Sequence, residues 1–539
     1  MSKPFAITLE VGSSLDNHTG SWRTLRPTYV DHLPPCNAKC PAGENIQGWL
    51  FRAESGDYRG AWEVIIRDNP FPALMGRVCY HTCESACNRG RVDECVGINS
   101  VERFLGDYAA EKNWDYPLPE KETGKKILVI GAGPAGLSCA YHMRRFGHTV
   151  TILESAEAAG GMMRYGIPRY RLPREILDRE IARLERMGVT IELNHEVKDV
   201  LAEKQTGHYD AVFLGLGAHL AKRAYIPAGD ASHVMDAVSL LRSMEGEAQP
   251  MIGRRVVVYG GGNTAVDVAR TVKRLGAEPL MVYRRTEQKA PAHRFEIEEA
   301  KEEGVAMKWL STVAEADEGE IKIEKMVLDE NGYPQPTGEF ETIKADALVL
   351  ALGQETDLSC VDKLRVTVEK GSVVVNECMM TSVEGVFAGG DMVPGERNVT
   401  VAIGHGKLAA RAMDAWLAGR DYQPPARGPE AKFEKLNTWY YSDAPKTVRP
   451  MLDLARRTDT FDEVVHGLTE ENALFEARRC MSCGNCFECD TCYGVCPDNA
   501  IIKLGEGKRF SIKYDYCKGC GICAQECPCG AIEMVADSK

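Results

Sequence analysis

The 539-residue sequence has no apolar run long enough to span a bilayer. Its start, MSKPFAITLEVGSS, lacks the apolar core of a signal peptide, so a cytoplasmic location is expected. Positive charge is in deficit. The 65 Lys and Arg stand against 78 Asp and Glu, and the net charge of −13 argues against nucleic acid or an anionic membrane as the main partner. Cysteine is almost missing from the middle of the chain, where only Cys139, Cys360 and Cys378 occur and read as ordinary buried side chains. The rest of the 20 cysteines crowd into two blocks, 36–95 and 480–529. Thiols clustered this way in a long cytosolic chain point to metal or iron–sulfur sites rather than disulfides. The length itself predicts roughly three or four domains.

What is present is organised around residues 125–154, KKILVIGAGPAGLSCAYHMRRFGHTVTILE. An apolar run at 127–130 reads as a buried strand. Gly131-x-Gly133-x-x-Gly136 follows, with Pro134 and Ala135 as cofactor-binding candidates within it, and a helical pattern runs from Ala135 to Phe146. A second apolar run ends on Glu154, twenty-three residues after Gly131. This is the full dinucleotide fingerprint: Gly131 makes the tight turn, Gly133 admits a pyrophosphate, and Gly136 lets helix pack on strand. The helix start offers free N–H groups to phosphates. Glu154 can accept from a ribose 2′-OH. Residues 160–173, GGMMRYGIPRYRLP, allow close backbone approach to a flat ligand. A helix over 174–187 and strands over 189–193 and 211–217 follow, the last ending in Gly217.

The fingerprint then recurs in RRVVVYGGGNTAVDVARTVKRLGAEPLMVYRR as Gly260-x-Gly262-Asn263-Thr264-Ala265. The position equivalent to Glu154 falls on Arg284, with Arg285 beside it. A 2′-OH wants a carboxylate, whereas a 2′-phosphate wants guanidinium. The first site therefore suits FAD and the second NADPH; NADH use stays open, as does a merely solvated strand end for the arginines. ADALVLALG ends a further strand in Gly353. GVFAGGDM supplies Gly390 and Asp391, and 399–417 reads as a helix whose positive end can face a flavin. His405 in that helix reads as structural. Residues 221–344 are expected to be inserted between two flavin-binding halves.

In the N-terminal block, residues 1–33 read as an extended arm and 46–54 and 58–66 as helices. Cys79, Cys83 and Cys87 are spaced i, i+4, i+8, which on a helix lines one face. Thiolates bind zinc as readily as iron–sulfur, and spacing alone leaves both metals open. CP-x4-I-x2-W, FPALMGRVC and VGINSVERF resemble the N-terminal iron–sulfur domain of the glutamate synthase small-subunit family. That family shares the domain with dihydropyrimidine dehydrogenase and the ferredoxin-linked NADPH oxidoreductases. The similarity runs over about 34–417. It implies one cluster on Cys40, Cys79, Cys83 and Glu102, although Glu102 also reads as a surface helix carboxylate. It implies flavin contacts from Gly161, Met162, Arg164 and Ile167, and from Asp391 to the ribityl or pyrophosphate region. Cys36 and Cys87 match ligands of a second cluster, but the family's Cys-x2-Cys upstream of the first has no counterpart, since Cys36 is the first cysteine here. One or two N-terminal clusters are therefore expected.

The C-terminal block is a bacterial two-cluster ferredoxin repeat, in which the fourth cysteine of each run ligates the other cluster. Cys486, Cys489, Cys492 and Cys527 are expected to hold one [4Fe–4S]; Cys517, Cys520, Cys523 and Cys496 hold the other. Cys480 and Cys483 extend the series upstream, as spare thiols or ligands of another site. Cys529 reads as no ligand.

The expected fold is α/β: two nested dinucleotide-binding (Rossmann-type) domains, flanked by an N-terminal helical iron–sulfur domain and a C-terminal ferredoxin domain. The expected boundaries are 1–114, 115–220, 221–344, 345–420, a linker at 421–479, and 480–539. A nicotinamide gives two electrons together, a cubane takes one, and a flavin manages both. The expected function is NAD(P)H:ferredoxin-type electron transfer to or from a larger catalytic subunit, such as a 2-oxoacid:ferredoxin oxidoreductase or glutamate synthase large subunit, or a soluble ferredoxin. The alternatives are a stand-alone ferredoxin–NADP reductase and a non-catalytic redox sensor or scaffold. About sixty residues separate the flavin unit from the ferredoxin, too few for a barrel of ~250 residues and its separate substrate site.

Overall fold

The computed structural model describes residues 18–222, 226–227, 233–246 and 249–537. Two five-stranded parallel sheets form its centre. The first runs in the order Val386–Ala388, Ala211–Leu214, Lys126–Ile130, Thr149–Leu153, Val189–Glu192. Strands Lys126–Ile130, Ala211–Leu214 and Val386–Ala388 read as apolar runs because both faces are covered there. Helix Pro134–Arg145 leaves the tip of the central strand, and helix Val399–Leu417 packs across it. Glycine permits that contact: a Cβ at Gly406 would lie 2.3 Å from the Ala135 carbonyl oxygen. The sheet thus joins strands before residue 215 to one beyond residue 385.

The second sheet runs Ala306–Lys308, Glu278–Val282, Arg255–Tyr259, Ala347–Leu350, Val234–Asp236, with a three-stranded antiparallel meander over Ser311–Lys344 beside it. This corrects the boundary expected at 345. Ala347–Leu350 pairs with Val256–Tyr259 in the nicotinamide sheet, so the inserted unit runs past residue 344. Both sheets need a buried apolar strand followed by glycine, which is why the strand did not disclose its sheet.

The N-terminal helices Ile46–Ala53, Tyr58–Ile65 and Ile98–Glu111 enclose their own core around Trp49, Leu50 and Leu105. Ala473 and Ala477 complete that core. They come from helix Glu470–Arg478, whose N-cap Thr469 accepts from Asn472 N–H. The expected linker is therefore docked along much of its length. The extended arm is corrected too. Residues 1–17 lie outside the described residues, but Leu25–Tyr29 pairs antiparallel with Ile532–Ala536 of the ferredoxin domain. The two ends of the chain share one small sheet.

The expectation that Cys79, Cys83 and Cys87 line one helix face does not hold. Helix Pro72–Val78 stops before Cys79, whose backbone is extended. His81 then adopts a left-handed conformation, Cys83 lies in the short helix Thr82–Ser85, and Cys87 precedes a 3-10 turn. The chain folds around the thiols rather than presenting them in a row.

Candidate functional site: a dinucleotide cavity with cluster cysteines behind one wall

Both glycine loops open onto one cavity of about 630 Å³, a size that suits cofactor-scale ligands. On the first side, Gly131 takes φ +99°, and a Cβ there would lie 2.4 Å from the Gly215 carbonyl oxygen. Gly136 is equally exacting, with the Gly131 oxygen 2.0 Å from its would-be Cβ. Gly133, Pro134, Ala135, Gly161, Met162, Ile167 and Gly217 line the cavity. Gly161, at φ +52°, brings its backbone against Gly133, where a Cβ would sit 2.7 Å from Gly133 Cα. The loops are cut to leave a slot at the helix start.

Glu154 is buried at the end of its strand, accepting from Ala132 N–H at 2.7 Å and Ala156 N–H at 2.9 Å. These bonds fix it toward the cavity that it lines. Gly390 and Asp391 form the opposite wall. Burial pushes the Asp391 carboxyl up, and Arg397 draws it back. His405 Nδ1 accepts from Gly390 N–H at 3.2 Å, which makes it the support of that turn. The Asn398 side chain caps helix Val399–Leu417 by accepting from Val401 N–H, so the positive helix end faces the cavity through Asn398, Val399 and Ala402.

Two expected contacts are corrected. Arg164 is buried away from the cavity, donating to the Ala159 carbonyl at 2.7 Å and pairing with Asp178, so it braces the Gly160–Gly161 turn. Gly353 does not line the cavity; it accepts from Lys222 N–H where the chain crosses back between the sheets.

On the second side, Gly262, Asn263 and Thr264 line the cavity, with Gly260 and Ala265 behind them. Arg284 and Arg285 follow strand Glu278–Val282. Arg284 is exposed and makes no ion pair among the described residues, and Arg285 Nε is buried with no hydrogen-bond partner. The Arg285 guanidinium lies over the Tyr333 ring at 5.7 Å, and neither arginine lines the cavity itself.

Residues that the motifs did not flag bind the two sides together. Arg171 pairs with Asp267 at 2.8 Å and Glu296 at 2.7 Å, joining flavin-side and nicotinamide-side domains at the cavity. Asn263 Nδ2 donates to Tyr80 Oη at 2.6 Å, and the Tyr80 ring stacks 3.7 Å from that of His293. Tyr80 and Val78 line the cavity, and Cys79 lies between them. Position beside a cluster cysteine was the only signal for Tyr80.

Cys40, Cys79, Cys83 and Glu102 come together behind that wall. Burial pushes the Cys79 thiol up to about 12, with Glu102 adding to the effect. Burial raises Cys83 as well, helped by Cys79 and Cys40. Glu102 is buried, not a surface carboxylate, and accepts from Asn69 Nδ2 at 2.8 Å. Four acidic groups crowded out of water favour a cationic centre.

In the ferredoxin domain, Cys527 lies beside Cys486 and Cys492, whereas Cys496 lies beside Cys517 and Cys523. Each of the two also accepts an N–H bond at 3.3 Å, Cys496 from Ala500 and Cys527 from Ala531. Tyr29 of the arm lies 3.2 Å from Cys492 Sγ. Cys489 and Cys520 are exposed, giving each quartet an outward corner.

Residues 125–406 match the pyridine nucleotide-disulphide oxidoreductase family. Residues 29–114 match the dihydropyrimidine dehydrogenase domain II 4Fe–4S family, and 510–533 a 4Fe–4S binding domain. The NADP(+)-dependent formate dehydrogenase subunit beta of Moorella thermoacetica is 35% identical over 83% of this chain and 70% of its own length. The glutamate synthase [NADPH] small chain of Escherichia coli is 34% identical over 71% of this chain and 89% of its own. The chain belongs to the glutamate synthase small-chain family. It is an FAD-dependent NAD(P)H oxidoreductase that carries [4Fe–4S] clusters. The NADPH-Fe(3+) oxidoreductase subunit beta of Geobacter sulfurreducens is another relative, 33% identical over 84% of this chain and 76% of its own. No helix among the described residues is long and apolar enough to cross a membrane.

Proposed function

We propose that this member of the family is the nucleotide-handling subunit of a larger oxidoreductase, exchanging electrons between NADP(H) and a catalytic partner through its ferredoxin domain. The observation that carries this reading is the single cavity lined by both glycine loops, with the neighbours of Cys79 on its wall. Bound FAD supplies two-electron exchange with a nicotinamide and one-electron exchange with clusters. The protein's own part is positioning. Gly131, Gly133 and the helix start at Pro134 and Ala135 hold a pyrophosphate against backbone N–H groups. Glu154 keeps lone pairs free for ribose hydroxyls, and Asp391 takes the other end of the same ligand. Gly260, Gly262, Asn263, Thr264 and Ala265 cradle the second dinucleotide, whose 2′-phosphate meets Arg284 and Arg285. Arg171 and Tyr80 hold the two nucleotide sites face to face.

Cys40, Cys79, Cys83 and Glu102 hold the cluster nearest the cavity. The two ferredoxin quartets lie outermost, and exposed Cys489 and Cys520 mark the face a partner meets. The relatives named as subunit beta or small chain support a larger catalytic partner rather than a stand-alone reductase.

Two measurements test this. Native purification is expected to recover the chain with a second polypeptide at fixed stoichiometry, and anaerobic protein is expected to oxidise NADPH with a viologen dye. A chain that purifies alone contradicts the subunit reading. A chain replete in FAD and iron that leaves NADPH untouched contradicts the nucleotide assignment.

A further inference from the structure

The Cys480–Cys483 pair lies outside both ferredoxin quartets, yet it is not spare surface thiol. Cys36, Cys87, Cys480 and Cys483 line one small cavity between the N-terminal helices and the start of the ferredoxin domain. Pro34, Pro35, Leu50, Val96 and Ile98 form its apolar walls. All four are free rather than disulfide-bonded.

We propose that Cys36, Cys87, Cys480 and Cys483 together hold a [4Fe–4S] cluster that joins the N-terminal domain to the ferredoxin domain. The proposal deepens the electron-transfer reading above and rests on it for its purpose, but not for its chemistry. Four cysteines facing one small apolar cavity are the donor set that a [4Fe–4S] cluster takes. Only two of the four come from the N-terminal domain, so the site is completed by residues almost four hundred positions later in the sequence.

The turn that delivers the second pair is built as the other cluster turns are. Ser482 N–H points at Cys480 Sγ, 3.5 Å away, with φ +47°. At Cys79 the donor is His81 N–H, 3.4 Å away and at φ +53°. In the ferredoxin repeat, Glu488 at φ +60° serves Cys486 and Gly519 at φ +73° serves Cys517. A left-handed residue two places after the cysteine, donating to sulfur, is thus common to the ligand turns of the other three quartets, and Cys480 has it.

The turn is also bolted to the opposite pair. Arg479 donates to the carbonyls of Glu94 at 2.7 Å and Cys95 at 3.0 Å, on the loop that begins at Cys87. Gln47 Nε2 donates to Ser482 Oγ at 3.1 Å. Cys95 itself stays outside the cavity, 3.6 Å from Lys446 Nζ.

The position makes a bridge. Cys36 and Cys40 sit at either end of helix Pro35–Lys39, a separation of about 6 Å along the axis, and they belong to different quartets. Cys83, in the short helix Thr82–Ser85, and Cys87, just beyond it, are divided between the same two quartets. On the far side, Gly484 N–H donates to the Cys529 carbonyl at 2.6 Å, which ties Cys483 to the loop carrying Cys527.

The test is iron and acid-labile sulfide per chain in anaerobic full-length protein. The unmodified chain is expected to hold about sixteen irons at four per cubane; about twelve or fewer overturns the proposal. The Cys480→Ser/Cys483→Ser double variant and the single Cys36→Ser variant, altered on opposite sides of the pocket, are each expected to lose about four irons and the same reduced-state EPR signal. Cys95→Ser should lose none. Retention of the full iron content in either pocket variant, or zinc in place of that iron, overturns the proposal. The readout is metal rather than turnover. A flavin that NADPH fails to bleach therefore counts against the nucleotide reading and leaves the iron count to stand.

Discussion

Arg285 lies over the Tyr333 ring at 5.7 Å and Arg284 stands exposed, and neither guanidinium has a carboxylate partner among the described residues. Arg270 and Arg274, by contrast, both hold Glu303 at 2.7 Å. Unspent donors at one strand end are the residue-scale case for a 2′-phosphate. Charge-assisted hydrogen bonds contribute about 1.5–3 kcal/mol each, or roughly 10–100-fold in affinity. Steady-state kinetics of Arg284→Ala and Arg285→Ala should show the KM for NADPH rising by that factor with NADH kinetics unmoved. Equal losses for both nucleotides would refute the assignment.

Glu54, at the end of helix Ile46–Ala53, titrates at about 7 because burial disfavours its charge, partly offset by Arg478. The folded chain therefore binds a proton that the unfolded chain has released. Stability falls as pH rises from about 4.5 to about 7, then levels off. The side chain is partly exposed, so the effect is about 1 kcal/mol after screening. Denaturant unfolding should show wild type losing about that much relative to Glu54→Gln between pH 5 and pH 8. A constant difference would remove the shift.

Among elements, those set by local pattern were legible. Strand Lys126–Ile130, helix Pro134–Arg145 and helix Val399–Leu417 fall where apolar runs, glycine spacing and helical periodicity put them. Strand Leu25–Tyr29 was not, because its residues alternate weakly and include Pro27, which only an edge strand tolerates. Its partner lies more than five hundred residues away, and no local signal carries that pairing. The Cys79, Cys83 and Cys87 spacing misled for a related reason: a helix period is only a period, and ligand geometry overrode it. The second-sheet strand Ala347–Leu350 shows that a buried parallel strand announces its burial and not its neighbours. Helix Val399–Leu417 also carries a packing requirement. A Cβ at Gly404 would lie 2.2 Å from the Pro41 carbonyl oxygen, next to Cys40. Gly404→Ala should destabilise the chain by about 1–3 kcal/mol through that overlap, read as a lower urea midpoint. An unchanged midpoint would mean that the N-terminal domain does not dock there.

At the scale of the molecule, the chain is threaded so that every module but the nicotinamide unit draws on distant stretches. The N-terminal arm completes the ferredoxin sheet, the helix before the ferredoxin completes the N-terminal core, and the nicotinamide unit interrupts the flavin sheet. Residue types alone revealed the two glycine fingerprints and the ferredoxin repeat, since each of those motifs is contiguous. Sites assembled from both ends became visible only when folded. Deleting residues 1–30 should therefore strip the outermost clusters before the flavin site fails, seen as loss of ferredoxin EPR signals with FAD retained. Full retention of those signals would show the shared sheet to be dispensable.

The most direct measurement mixes dithionite-reduced full-length protein, freed of excess reductant, with NADP⁺ in the absence of any partner. The account predicts that NADPH forms as the cluster signals fade, one molecule for every two cluster electrons lost, and that flavin-depleted protein forms none. Clusters that stay reduced while the protein holds both FAD and NADP⁺ would contradict it.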